Sequence, residues 1–124
     1  MFFQKKGGII MSKINLSVLT AEEIVDLLPH GSGFNGDWEE SLEDGLFVGK
    51  MVYEHLNEVG MYDFNVPFEL RIPVEDAMEF TIELTGSEEQ NRLAEEDDLV
   101  SYFEDTIADA IRYGYKKLET SLTV

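Results

Sequence analysis

Phe64-Asn65-Val66-Pro67-Phe68-Glu69-Leu70-Arg71-Ile72-Pro73-Val74 alternates apolar and polar residues without a break. A period of two places Phe64, Val66, Phe68, Leu70, Ile72 and Val74 on one face of a strand. Asn65, Pro67, Glu69, Arg71 and Pro73 take the other face, so one side of the sheet is buried and one is wetted. Two prolines cannot donate to a ladder. The strand therefore lies at an edge or turns its proline positions outward.

The same period extends on both sides. Upstream, Trp38, Glu40 and Leu42 alternate with Glu39, Ser41 and Glu43, and Asp44-Gly45 is a two-residue hairpin signal. The returning strand, Leu46 to Leu56, sets Phe47, Met51 and Tyr53 against Val48, Lys50, Val52 and Glu54, and residues 57–60 read as another turn. Downstream, Met78, Phe80, Ile82 and Leu84 alternate with Glu79, Thr81 and Glu83, which gives Arg71 a glutamate to pair with across strands.

Helices flank these strands. Thr20-Ala21-Glu22-Glu23 is a capping box, with Leu19 and Ile24 placed for a hydrophobic staple and Pro29 as the stop. A long C-terminal helix is expected over residues 98–118, where Leu99, Phe103, Ile107, Ile111, Tyr115 and Leu118 form a stripe. Its acids come early and its cations late, which suits the helix dipole, while Gly114 weakens it locally. Residues 88–98 read as a short helix or an ordered acidic loop. The expected architecture is α+β: one domain with an antiparallel sheet of about four strands, packed by two or three helices on one face.

Composition narrows the function. The 124 residues carry 26 acidic against 9 basic side chains, a formal net charge of −17. Such a surface repels nucleic acid and anionic membranes and attracts basic surfaces. Its 44% hydrophobic content and eight Phe can build a core, so the charge does not signal disorder. There is no Cys, hence no disulfide framework, thiolate nucleophile or Cys-based zinc site. The apolar runs are far short of a membrane span. An intracellular, cytoplasmic protein is expected.

Residues 1–10 lack the apolar core and cleavage site of a signal peptide. Lys5-Lys6-Gly7-Gly8 reverse-translates to a purine-rich ribosome-binding sequence ahead of Met11. Residues 1–10 are therefore read as a translated leader, and residues 11–124 as the domain. Without Lys5 and Lys6 the net charge falls from −17 to −19.

No motif carries chemistry. The glycine-rich segment at residues 30–36 lacks the third glycine of a dinucleotide fingerprint and the P-loop lysine, and it follows a helix. It reads as a tight helix-to-strand connection. Ser32, His30 and Asp37 are near in sequence but lack the nucleophile elbow of hydrolases. His30, Asp37, His55, Glu54, Glu58 and Asp63 lack metal-ligand spacing. No enzyme activity, metal or cofactor is expected.

The acids are the candidate site. Asp37, Glu39, Glu40, Glu43 and Asp44 surround the first hairpin, and Glu88, Glu89, Glu95, Glu96, Asp97 and Asp98 lead into the long helix. Alternate strand residues recur every ~6.8 Å. A DNA strand carries a charge per ~3.4 Å of axis, so two adjacent acidic rows approach a duplex-like density. The competing reading is an acidic coat serving solubility, although such a coat normally intersperses both signs.

Leu28-Pro29-His30-Gly31-Ser32-Gly33-Phe34, Asp37-Trp38 and Asn57-Glu58-x-Gly60-x-Tyr62-Asp63 resemble a group of small uncharacterised proteins. These are carried by phages and mobile elements of low-GC Gram-positive bacteria. The resemblance covers roughly the central half of the chain and implies a genomic setting rather than an activity. With the charge, that setting implies counter-defence: an acidic inhibitor of the anti-CRISPR or anti-restriction type. Its expected partner is a basic nucleic-acid-binding protein such as a CRISPR effector or restriction enzyme, with no direct nucleic-acid or membrane binding. Trp38 and Tyr62 are candidate anchors, Trp38 being equally suited to the core. The alternative is a phage or mobile-element assembly module, such as a homodimer, whose charge serves solubility.

Overall fold

The segment with the clearest alternation becomes an inner strand of a four-stranded antiparallel sheet. The structure is a computed structural model that describes residues 13–31, 33–56 and 59–122, with nothing stated of the side chains at 36–38, 62 and 119–122. The expected leader, Ser32, Asn57 and Glu58 lie outside the described residues. The elements run α1 (Ala21–Leu27), β1 (Phe34–Glu43), β2 (Leu46–Leu56), β3 (Tyr62–Pro73), β4 (Thr81–Leu84), α2 (Glu88–Glu96) and α3 (Leu99–Leu122). Sheet order follows chain order, β1-β2-β3-β4. The fold is α+β and forms one domain, with the long C-terminal helix in place.

Both prolines of β3 are accommodated by facing outward. Pro67 turns its carbonyl and nitrogen toward β4, where the carbonyl accepts from the Thr85 N–H at 3.1 Å; the N–H it lacks falls at the end of that ladder, just past Leu84, so no bond to β2 is lost. Pro73 lies opposite Leu46 and beyond the span of β3 paired with β4. The expected β1–β2 hairpin forms at Asp44-Gly45, whose φ values of 53° and 78° belong to a type I′ turn.

Phe47, Met51, Val66, Phe68, Leu70 and Ile72 are buried on the inner face of the sheet. All three helices cover this face: α1 over β1, α2 over β3, and α3 against both helices. The α3 stripe enters as Leu99, Phe103, Ile107 and Ile111, each nearly or fully buried. Phe103 stacks on Phe68 with ring centroids 4.7 Å apart and meets Phe34 and Tyr53 edge-on at 5.6 and 5.1 Å. Each such ring contributes roughly 1.5–3 kcal/mol by burial, and the aromatic geometry adds to that.

Two local expectations are corrected. Phe34 to Gly36 is strand, not loop: burial of Phe34 draws the chain into the sheet, and a register shift between Asn35 and Glu39 absorbs the change. The strand expected from Met78 begins only at Thr81, because Val74–Glu79 forms a 3₁₀ segment. Val74 and Ala77 are buried there, and the segment bonds to the N-terminal stretch through Leu16 N–H to Val74 O (2.6 Å) and Ala77 N–H to Ile14 O (2.8 Å). Ile14 and Leu16, which carried no periodic signal, thus join the core. The long helix α3 starts at Leu99, as expected, and runs on to Leu122. Asp98, at φ 55°, forms the corner between α2 and α3.

The expected capping box forms at Thr20, and a second one is found at Ser87. Thr20 accepts from the Glu23 N–H at 3.2 Å, and Ser87 accepts from the Gln90 N–H at 3.1 Å, which makes residues 88–96 helix rather than loop. Gly114 admits the close approach of α1: a Cβ there would lie 2.5 Å from Leu27 Cδ2. Gly33, at φ 95°, is more constrained, since a Cβ would lie 2.8 Å from the Glu54 carbonyl oxygen. Gly31 has a similar φ of 89° but open space around it. Gly33→Ala is therefore expected to destabilise the fold by about 2–3 kcal/mol and Gly31→Ala by about 1 kcal/mol. Urea unfolding of the two variants checks the order, and equal losses would contradict the packing argument.

Candidate functional site

The acids of the first hairpin occupy the margin of the sheet. Register pairs Glu39 with Lys50, Glu40 with Gly49 and Glu43 with Leu46. Glu39 and Glu43 therefore share the open face, while Glu40 lies on the helix side, yet exposed, and Asp44 occupies the turn. The backbone of Asp37 is in β1, but its side chain, like those of Trp38 and Tyr62, lies outside the described residues.

The second group is built on α2. Glu88 and Glu89 sit in the first turn, where the helix dipole favours them. Glu95, Glu96, Asp97 and Asp98 crowd the other end, where it does not. Arg92 offsets part of this by binding Glu89 at 2.7 Å and Glu96 at 2.5 Å. Those hydrogen bonds, to Glu89 and then Glu96, raise the Arg92 pKa above its ordinary value.

The outermost members of the two acidic groups lie far apart. Asp97 approaches His55 (Oδ2 to Nε2, 3.9 Å) at the far end of β2, whereas Asp44 precedes its first residue. Nine strand steps separate His55 from Leu46 beside the turn, roughly 30 Å at ~3.3 Å each. That is several Debye lengths at physiological salt, so Asp97 and Asp44 act independently, while Glu39, opposite Lys50, lies nearer the middle of β2.

A third set of carboxylates emerges from the register alone. Glu39, Lys50, Glu69 and Glu83 form one row across all four strands of the open face. Glu69 and Glu83 stand directly opposite each other, an unfavourable like-charge pair that Arg71 relieves. Its Nη2 lies 2.6 Å from Glu69 Oε2 and 3.8 Å from Glu83 Oε1, the cross-strand partner expected for it. This row was hidden in the sequence because β4 is too short for its register to be read there.

All three arginines are thus committed to acids. Arg71 and Arg92 are held as described, and Arg112 binds Asp109 at 3.2 Å. The open face is still sparser than DNA. Glu39 and Glu43 lie about 13 Å apart along β1, whereas a duplex carries a charge per ~1.7 Å of axis. The row spacing imagined from alternation is interrupted by Ser41.

Elsewhere the chemistry is structural. His30 Nε2 hydrogen-bonds the Val25 carbonyl at 3.0 Å, and Gly31 and Phe34 exchange backbone hydrogen bonds at 3.2 and 3.0 Å, which makes residues 30–34 a tight connection. Tyr53 packs among Phe34, Tyr102 and Phe103, and burial first, then Tyr102, raises its pKa. Among the described residues no group of three or more His, Asp and Glu converges as a metal site, and no helix is long and apolar enough to cross a membrane. A groove between α1 and α3, lined by Asp26, Leu27, Tyr113, Gly114 and Lys117, holds one acid and one base over an apolar floor. Comparison with protein-family models, curated proteins and solved structures returned no match.

Arg71→Gln should cost about 1 kcal/mol at low salt, because it exposes the Glu69–Glu83 repulsion. Most of that loss should vanish in a Glu83→Gln background or in 1 M salt. A double-mutant cycle by urea unfolding measures this, and a loss independent of salt and of Glu83 would show that Arg71 acts through packing.

Proposed function

We propose that this chain is a non-enzymatic, acidic binding protein that occupies the basic nucleic-acid site of a partner. The observation that carries the reading is the commitment of all three arginines to carboxylates, which leaves the remaining acids to dominate the surface. Negative charge of this size steers association with a cationic channel and speeds encounter. The spread of the acids over face, edge and α2 argues for steering by the whole body rather than charge-for-charge copying of a duplex. The partner class is a nucleic-acid-processing defence protein, of the CRISPR-effector or restriction-enzyme kind, inside a bacterial host cell. That assignment draws on the phage and mobile-element resemblance together with the charge.

The test is competition. Purified restriction and CRISPR effectors are assayed for binding to duplex or guide RNA with increasing amounts of this chain. Inhibition of at least one effector is expected, with apparent affinity falling about tenfold or more between 50 and 200 mM salt. The triple variant Glu39→Gln, Glu40→Gln and Glu43→Gln should weaken it further. Absence of inhibition across the panel at low salt, accompanied by salt-insensitive self-association, would replace this reading with that of an assembly module.

A further inference from the structure

We propose that the outer edge of β1 is a strand-addition site for an extended, lysine-rich segment of the partner; this rests on the binding function above and names its mode. β1 is the terminal strand of the sheet, so among the described residues one side of its backbone faces no other strand. The two-residue turn fixes which groups these are. Glu43 and Leu46 close the hairpin as a hydrogen-bonded pair, so Glu43 and Ser41 point their N–H and C=O groups toward β2. Glu40 and Leu42 point theirs outward. Further along, the outward groups of Phe34 are already taken by Gly31 (3.0 and 3.2 Å), and the register shift interrupts the edge before Glu39. What remains is a short template centred on Glu40 and Leu42.

The side chains select the occupant. A strand added here would run beside Glu39 and Glu43 on the open face and beside Glu40 and Leu42 on the other. All three glutamates are exposed and Leu42 is half-buried. A second copy of this chain would bring its own Glu39, Glu40 and Glu43 against these, and like charges across strands are destabilising. The other free edge, β4, offers only Thr81–Leu84. A basic strand with apolar residues at alternate positions matches both faces: cations meet Glu39 and Glu43, and an apolar residue meets Leu42. Main-chain bonds would supply affinity and the alternating side chains specificity, as in other strand-addition complexes.

The probe is the peptide Lys-Val-Lys-Val-Lys-Val-Lys, with Glu-Val-Glu-Val-Glu-Val-Glu as control, read by amide hydrogen exchange on the full chain. The lysine peptide should slow exchange at Glu40 and Leu42 by about tenfold and the glutamate peptide should not. Glu40→Pro removes one outward N–H without touching the β2 ladder, and Glu40→Gln removes only the charge. Peptide affinity should fall about tenfold for the proline variant and only about twofold to threefold for the glutamine variant. Peptide binding that protects other amides, equal losses in the two variants, or no binding at all would each overturn strand addition. Exchange on the unsubstituted chain decides the matter if the proline variant does not fold. Inhibition of an effector with no protection at Glu40 and Leu42 would sink this mode and leave the proposed function standing. Protection by the lysine peptide with no effector inhibited would do the reverse.

Discussion

The contact between Phe103 and Phe68 organises the molecule. One ring comes from the second turn of the long C-terminal helix and the other from the inner strand β3, and they stack at 4.7 Å. Phe34 and Tyr53 meet the same ring, so three of the four strands are tied to α3 at one point. With α3 held there, α1 and α2 pack on either side of it, and the inner face of the sheet is closed. Among the described residues no helix covers the opposite face and no strand pairs with the outer edge of β1. Loss of the Phe103 ring would remove about 3–5 kcal/mol, a large share of what a domain of this size has to spare.

Charge is distributed around that frame in a consistent way. Where acids would harm the fold, a cation is supplied: Arg71 between Glu69 and Glu83, Arg92 between Glu89 and Glu96, Arg112 beside Asp109. Elsewhere they stand in solvent, at Glu39, Glu40, Glu43 and Asp44 and at the α2–α3 corner. The arginines therefore serve folding, and the surplus of carboxylates is what an approaching molecule meets. Strand edges commonly carry charge as a guard against pairing. The same charge that excludes a second copy of this chain favours a strand of opposite sign.

Periodicity made much of this legible. The alternation of residues 64–74 specified which side of β3 is dry, and Asp44-Gly45 specified the hairpin and with it the β1–β2 register. The α3 stripe and the Thr20 capping box were equally plain because each rests on local spacing. What stayed hidden depends on tertiary contacts. Phe34 looked like the end of a glycine loop, and only its burial among Tyr53, Phe68 and Phe103 makes it strand. Met78 and Glu79 continue the alternation of β4 but belong to a 3₁₀ segment, Val74–Glu79, which is bonded to Ile14 and Leu16. The acidic residues were visible as types, but the row of Glu39, Glu69 and Glu83 across the open face, and the outward-pointing backbone groups of Glu40 and Leu42, required the register.

Strand addition requires β1 to be a well-formed strand that is paired on one side only. Residue-resolved amide exchange on the isolated chain tests this most directly. The N–H groups of Ser41 and Glu43, which face β2, should exchange slowly, and those of Glu40 and Leu42 should exchange near the rate of an unstructured chain, about a hundredfold faster or more. Uniformly slow exchange along residues 40–43 would mean that the outer edge is already covered, by self-association or by another part of the chain. Uniformly fast exchange would mean that β1 is not a stable strand, and either pattern would contradict the account.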